Sequence, residues 1–298
     1  MGTMNIAILS TRSHRYHPNR RLIEAAAESG YSPLLLHPRR VRTGTPPDEA
    51  ATWERQPRPD VLVPRIGSTI DEPELAAVFH LEQQGIPVVN GFDALVLGRD
   101  KFLSLRRLAT LGIPVPQTFL VSESDQLAAA IRELGGLPVV VKALRGRQGT
   151  GIFLVEQDAF AHYLLEHPPR PREGILVQRF IASASCAGDV RIIVVGQRPV
   201  AVMKRIPPRG DFRSNVHLRG RGKPWSPSQD RLDLAARAAT GLGLQVAGVD
   251  LLEGPDGPIV LEVNTTPGFR EMERVTGLDV AKEIVDYAVT LARVRVAS

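Results

Sequence analysis

Only one cysteine, Cys186, occurs in the 298 residues. That excludes an internal disulfide framework and fits a reducing, cytoplasmic setting. Cys186 also lacks the spaced partners of a metal cluster. Aromatic residues are scarce, at 5%, so a surface built on stacked bases lacks its raw material. No apolar run approaches the roughly 20 residues that span a bilayer. The chain enters a short apolar strand, Ile6-Ala7-Ile8-Leu9, without the layout of a signal peptide. No membrane partner is expected. No G-x-G-x-x-G follows that strand, which argues against a dinucleotide site there. No Ser-His-Asp or activated-cysteine arrangement is visible, so a protein nucleophile is not expected.

What is present is ordinary in bulk. The hydrophobic content is 43% and the formal net charge +5. The length suffices for two or three domains. The positive excess permits an acidic partner and does not choose among nucleotide phosphates, an acidic peptide or nucleic acid.

Residues 4–95 alternate short apolar strands with helical stretches. Strands are read at 5–10, 32–36, 61–65 and 87–90, and helices at 18–29 and 73–84, each followed by a glycine. This rhythm predicts a small α/β domain with mostly parallel strands and a boundary near residue 95. Beyond it, Gly98-Arg99-Asp100-Lys101 opens a helix to about Leu111. Helices are predicted at 125–134, 158–166, 228–241 (capped by Ser226 or Ser228) and 280–294. Strands are read at 118–121, 138–142, 152–156 and 175–180, with a hairpin of 190–195 and 199–205 turning at Gly196-Gln197.

The most informative stretch is Gly248 to Gly268. Val249–Glu253 and Ile259–Asn264 read as a hairpin through Gly254-Pro255-Asp256-Gly257. Alternation puts Glu262, Asn264 and Val260 on one face, with Leu261 and Val263 on the other. If the strands pair across the turn, Asp250 falls beside Glu262 and Asn264. Two carboxylates and an amide carbonyl are hard oxygen ligands suited to magnesium with phosphates. Asp250 as an edge-strand carboxylate and Asn264 as a turn former is the structural alternative.

Lys142 ends an apolar strand just before Arg145-Gly-Arg-Gln-Gly-Thr-Gly151. Gly146, Gly149 and Gly151 can bring backbone N–H groups close to phosphate, or form a plain hairpin turn. Lys101 is a second candidate cation, or an ordinary solvated helix lysine. Arg205, Arg209, Arg213, Arg219, Arg221 and Lys223 concentrate positive charge around Asn215 and His217. With only Phe212 and Trp225 interleaved, nucleic-acid binding is the weaker reading. Arginine forks suit a phosphorylated or carboxylate intermediate better, which makes Arg213, Asn215 and Arg205 the candidate catalytic residues.

Across nearly its whole length the chain resembles the RimK-type branch of the ATP-grasp superfamily, ligases that add glutamate to a ribosomal protein's C-terminus or to related acids. The resemblance rests on Asn5–Ser10, Pro64-Arg-Ile-Gly67, Arg99-Asp-Lys101, Val140-Val-Lys142 with its glycine loop and Gly188-Asp-Val-Arg191. It continues in Gly210-Asp-Phe-Arg-Ser-Asn215, Gly248-Val-Asp250 and Leu261-Glu-Val-Asn264 with Pro267-Gly268.

The resemblance implies an ATP-grasp fold, α/β and α+β, behind an N-terminal preATP-grasp domain at 1–95. A small lid domain would follow at 96–180 and a catalytic domain at 181–298. It implies that Lys101 and Lys142 hold ATP phosphates under the 146–151 loop. Gln178, Arg179 and Phe180 belong to a segment that reads adenine, and Asp189 meets the nucleotide, at its ribose. Arg213, Ser214 and Asn215 contact phosphate or the acyl-phosphate. Asp250, Glu262 and Asn264 hold two Mg²⁺ (Mn²⁺ as substitute), with Glu262 bridging. The substrates implied are an amino acid, glutamate first, and the carboxylate of an acidic peptide or protein C-terminus; a small-molecule or carrier-peptide acid is the alternative. Relatives are often dimers or tetramers, so a homo-oligomer is expected. The chain departs from the pattern at Arg179-Phe180, where relatives often have Glu-Tyr, and at His217-Leu-Arg-Gly220, where they often read His-Arg-Gly-Gly. The first removes a glutamate side chain from the adenine segment. The second lies where the acceptor binds and bears on which acid is taken.

Overall fold

The computed structural model describes residues 3–45, 53, 57–66, 70–144, 151–167, 174–181, 188–208 and 221–296. In chain order the strands are β1 Asn5–Leu9, β2 Ser32–Leu36, β3 Val61–Pro64, β4 Thr118–Val121, β5 Val139–Ala143 and β6 Ile152–Val155. They continue with β7 Ile175–Arg179, β8 Asp189–Val195, β9 Arg198–Ile206, β10 Arg221–Pro224, β11 Val246–Gly254 and β12 Gly257–Asn264. The helices are α1 His17–Glu28, α2 Glu72–Gln83, α3 Phe92–Arg99, α4 Lys101–Thr110, α5 Ser124–Glu133, α6 Asp158–Glu166, α7 Gln229–Gly241, α8 Arg270–Thr276 and α9 Val280–Val296. None of the described helices is long and apolar enough to cross a membrane.

Helix starts follow local chemistry. Pro18 opens α1, where its missing N–H costs nothing. Glu74 reaches back to the Asp71 backbone N–H at 3.1 Å, half of a capping box on α2. Asp100 ends α3 and caps α4, accepting from the N–H groups of Phe102 and Leu103 at 2.9 Å each. The predicted single helix through Arg99-Asp100-Lys101 is therefore two helices, broken at that cap.

Three sheets result. The first is parallel, in the order β2-β1-β3. The strand expected at 87–90 shrinks to one bridge, Val88 beside Leu62, because the chain turns into α3 at once. The second sheet runs β10-β9-β8-β11-β12 and the third β4-β7-β5-β6, both antiparallel. Between β8 and β9 the turn Gly196-Gln197 has φ of 54° and 67°, both positive, as a tight hairpin requires.

The layers follow from period-2 burial. One face of the first sheet buries Ala7, Leu9 and Leu62 with Val78 and Leu81 of α2. Its other face, with Ile6, Ile8 and Val63, packs on Ile284, Val285 and Ala288 of α9, and α9 also covers Ile193, Ala201 and Met203 of the second sheet. Beyond that sheet, Ile192, Val249 and Val263 meet Leu234, Ala235 and Ala238 of α7. The third sheet keeps a separate core: Val139, Val141, Ile175 and Val177 against α5 and α6.

The face of β12 departs from simple alternation. Asp250 pairs with Glu262 but Leu251 pairs with Val260, so Leu261 is an extra, bulged residue. The bulge moves Val260 to the face opposite Glu262, where it joins Val263 under α7. The sequence expectation that Val260 shares the Glu262 face is thereby corrected.

Candidate active site

Six polar residues lie on one face of the second sheet. Register places Asp189 opposite Arg205, Arg191 opposite Asp250, Asp250 opposite Glu262, and Asn264 opposite Gly248. Paired residues share a face, and residues two apart on a strand do too. Toward the other end of the strands this same face carries Ile193, Val195, Met203 and Val246, buried under α8 and α9. The sheet thus has an apolar end covered by helices and a charged end left outside them. Gly188 makes the charged end possible. Its φ is 83° and a Cβ there would lie 2.0 Å from the Arg205 carbonyl oxygen.

The charges are paired across strands. Arg191 forks onto Asp250, Nε to Oδ1 at 2.7 Å and Nη2 to Oδ2 at 2.6 Å. Arg205 forks onto Asp189 at 2.5 and 2.6 Å and reaches Asp250 Oδ2 at 2.9 Å. Burial works to raise the Asp250 pKa, but Arg191 and Arg205 outweigh it and hold the carboxyl below its ordinary value. Burial likewise opposes the Arg205 charge, and Asp250 and Asp189 reverse that. The sequence reading of Gly188-Asp-Val-Arg191 gives Arg191 no role of its own. Its signal was a lone arginine opening the run Arg191-Ile-Ile-Val-Val195, a position that needs a partner.

The third sheet contributes from its other face. Val139 and Val141 point to α5 and α6, so Lys142 points away from them. Lys142 pairs in register with Leu176, and Val140 with Gln178, which in turn pairs with Thr118. The Lys142 Nζ donates to Gln178 Oε1 at 2.6 Å, and Gln178 Nε2 donates to Thr118 Oγ1 at 2.8 Å. Gln178 therefore orients the lysine through its side chain.

These surfaces meet in one cleft. Lys101, Ser104, Lys142, Glu262 and Asn264 line it, with Arg99 and Thr265. Lys101 stands at the first turn of α4, where helix N–H groups also favour anions. Among the described residues the Glu262 side chain makes no hydrogen bond or ion pair. Its oxygens are uncommitted, whereas Asp250 has three of its roughly four lone-pair positions taken by arginines. No three His, Cys, Asp or Glu side chains gather as a metal cage among the described residues. Two carboxylates and the Asn264 amide do gather, and such a partial shell suits magnesium, which takes few protein ligands and completes itself with phosphate and water. The donor set fits the ion.

Burial pushes the Lys142 ammonium down to about 8; Lys101 adds to this, and Glu262 and Asp250 oppose it. In the unfolded chain lysine titrates near about 10.4. Between those values the unfolded chain binds more protons than the folded one, so stability rises with pH there. The penalty is fully present below about pH 8 and is relieved above it. Wild type should therefore gain unfolding free energy relative to Lys142→Met between about pH 8 and 10, measured by urea denaturation without nucleotide. A difference that stays flat across that range would refute the buried charge.

Other candidates lie elsewhere. Asp189 and Arg205 are buried behind Asp250. Arg179 is exposed and donates to Gln117 Oε1 at 2.9 Å, with Phe180 next after the end of β7. Gly151 opens the approach to β6 with φ of 74°. Gly146, Gly149, Arg213, Ser214 and Asn215 lie outside the described residues. Unforeseen from sequence was Asn90. Its Oδ1 accepts from the N–H groups of Gln245 and Val246, and its Nδ2 donates to Val246 O and Thr265 O at 2.7 and 2.8 Å. It ties the start of β11 to the segment after Asn264.

Comparison with known proteins shows the family. Residues 4–95 match the RimK PreATP-grasp domain and residues 98–288 the RimK-like ATP-grasp domain. A probable alpha-L-glutamate ligase of Methanococcoides burtonii is 38% identical over 287 residues, 95% of each chain. Among solved structures, a RimK domain ATP-grasp protein of Sphaerobacter thermophilus superposes with a TM-score of 0.76 at 27% identity, over 96% of this chain and 99% of that one. The ATP-grasp ligase PsnB, solved with a precursor variant, Mg and ADP, shares the fold at 20% identity and a TM-score of 0.75, over 96% of this chain and 98% of its own. The chain belongs to the RimK-like ATP-grasp ligases, an ATP-grasp fold preceded by a pre-ATP-grasp domain.

Proposed function

We propose that this ligase joins an amino acid, L-glutamate first, to the carboxylate of a peptide or protein C-terminus. An oxygen of that carboxylate attacks the γ-phosphorus of ATP and ADP leaves. The amine of the incoming amino acid then attacks the acyl carbon, phosphate leaves, and the nitrogen loses a proton. The observation that carries this reading is the cleft, which Lys101, Lys142, Glu262 and Asn264 line together. Two cations suit a polyphosphate, and an uncommitted carboxylate beside an amide suits the ion that travels with it.

The parts act by position and charge. Lys101 and Lys142 hold phosphate oxygens, and Gln178 keeps Lys142 aimed. Asp250, Glu262 and Asn264 would hold two Mg²⁺, which would supply charge neutralisation at the phosphates. Arg191 and Arg205 fix the Asp250 rotamer, and Asp189 holds Arg205 and meets the nucleotide at its ribose. Gly146, Gly149 and Gly151 cover the phosphates, the 178–180 backbone reads adenine, and Arg213, Ser214 and Asn215 stabilise the acyl-phosphate. The three-part division at residues 95 and 180 follows the same reading, as does assembly into a dimer or tetramer in the cytoplasm.

The test is ADP release with ATP and Mg²⁺, screening amino acids against peptides with acidic C-termini. The expected result is release only when both a peptide and glutamate are present, with the peptide gaining one or more glutamyl residues by mass. ADP release indifferent to every peptide would move the acceptor to a small-molecule acid.

A further inference from the structure

The stretch Pro64-Arg-Ile-Gly67 supplies none of the phosphate, metal or adenine contacts proposed for this ligase. Arg65 follows β3 and is 6% exposed. It is held in place at one end only. Its Nη2 donates to Pro267 O at 2.7 Å, and its guanidinium lies 5.6 Å from the centre of the Phe269 ring. Its Nε is buried without a partner, and no carboxylate of the described residues pairs with it. A desolvated guanidinium without a counter-charge is costly, and such costs persist where a ligand removes them.

Two more buried, unpartnered atoms lie nearby. His17 packs edge-on against the same Phe269 ring, centroids 5.9 Å apart, and its Nδ1 has no partner. Asn19 uses its amide nitrogen on Arg12 O and Ser13 O, leaving Oδ1 unpaired. Ser10, at the end of β1, donates to the Arg65 carbonyl at 3.3 Å. Three of the four such atoms among the described residues thus gather at the carboxyl edge of the parallel sheet. Open α/β sheets take their ligands at that edge. Pro267, which Arg65 grips, is three residues beyond Asn264, and a Cβ on Gly248 would lie 2.8 Å from it. The unpaired cation therefore adjoins the charged end of the second sheet.

We propose that Arg65 binds a carboxylate that does not react: a free carboxylate of the incoming amino acid. This rests on the ligase reading. The reacting carboxylate must sit at the γ-phosphate, beside Lys101 and Glu262. The amine donor brings a charge that stays unmodified and needs a fork of its own. The Nε edge of Arg65 offers one, with Asn19 Oδ1 and His17 Nδ1 available as acceptors for the same molecule.

The test compares L-glutamate with its α-amide and its γ-amide as donors, with ATP, Mg²⁺ and a peptide ending in glutamate. Wild type should favour the acid over one of the two amides by about ten- to hundredfold in kcat/KM, and that amide identifies the carboxylate held. In Arg65→Met this ratio should fall to about one while KM for ATP stays within about twofold; Arg65→Lys should keep part of it. An Arg65 that merely braces Pro267 would lower the rates with acid and amides alike and leave the ratio intact, which overturns the proposal. Calorimetric binding of glutamate to the enzyme with ADP and Mg²⁺ separates this outcome from failure of the ligase reading. Binding lost in Arg65→Met supports the site even if no peptide is extended. Equal binding in both proteins, or none in wild type, rejects it. Should Arg65→Met fail to fold, Arg65→Lys carries the same comparison.

Discussion

Glu262→Gln is expected to lower ADP release by at least about 10²–10³-fold, the range seen when one preorganised group at a developing charge is lost. The substitution keeps volume and removes one formal charge from the cleft. It should leave the fold alone, because Glu262 is half-buried and bonded to nothing among the described residues. The unfolding temperature should move by no more than about 1–2 °C, since a change that breaks no interaction stays within about 0.5 kcal/mol. Asp250→Asn would be a poor substitute for this test. It strips the charge that Arg191 and Arg205 share, so loss of activity could not be told from loss of structure. Near-normal turnover by Glu262→Gln at saturating Mg²⁺ would remove Glu262 from the proposed metal site.

Arg205→Met is expected to be the most destabilising single change near the cleft. Arg205 is 3% exposed and bridges two carboxylates, Asp189 and Asp250, that are nearly as buried. Removing it leaves Asp189 without its arginine fork, and breaking a buried pair in this way costs about 3–5 kcal/mol. At this chain length that lowers the unfolding temperature by about 5–8 °C. Asp250 keeps Arg191 and so loses less. The double variant Arg205→Met/Asp189→Leu should recover much of the loss, because the buried carboxylate is removed together with the guanidinium it faced. Thermal unfolding of the two single variants and the double completes the cycle. A shift below about 2 °C for Arg205→Met would mean that the bridge contributes little.

Much of this was legible in the chain. The turn at Gly254–Gly257, the glycine closing each early helix and the apolar runs of β5, β7 and β8 are local chemistry. They act within a few residues, so sequence alone determined those elements. It also put Asp250 and Glu262 on one hairpin, but the turn's own register would set Asp250 opposite Leu261, and the bulge is what brings Glu262 there. The resemblance, carried by stretches spread over the chain, supplied the family. What sequence could not supply is where one strand's face meets another's. The Leu261 bulge reverses Val260 because the β11 partner, not the β12 sequence, sets the pairing. Arg191 becomes a fork for Asp250 only when strands 59 residues apart are laid side by side. Lys142 reaches the cleft because helices α5 and α6 claim the opposite face of its sheet. Arg65 grips Pro267 across 202 residues of chain. These are choices of partner rather than of conformation. They depend on which apolar faces bury one another, and only the packed tertiary structure decides that.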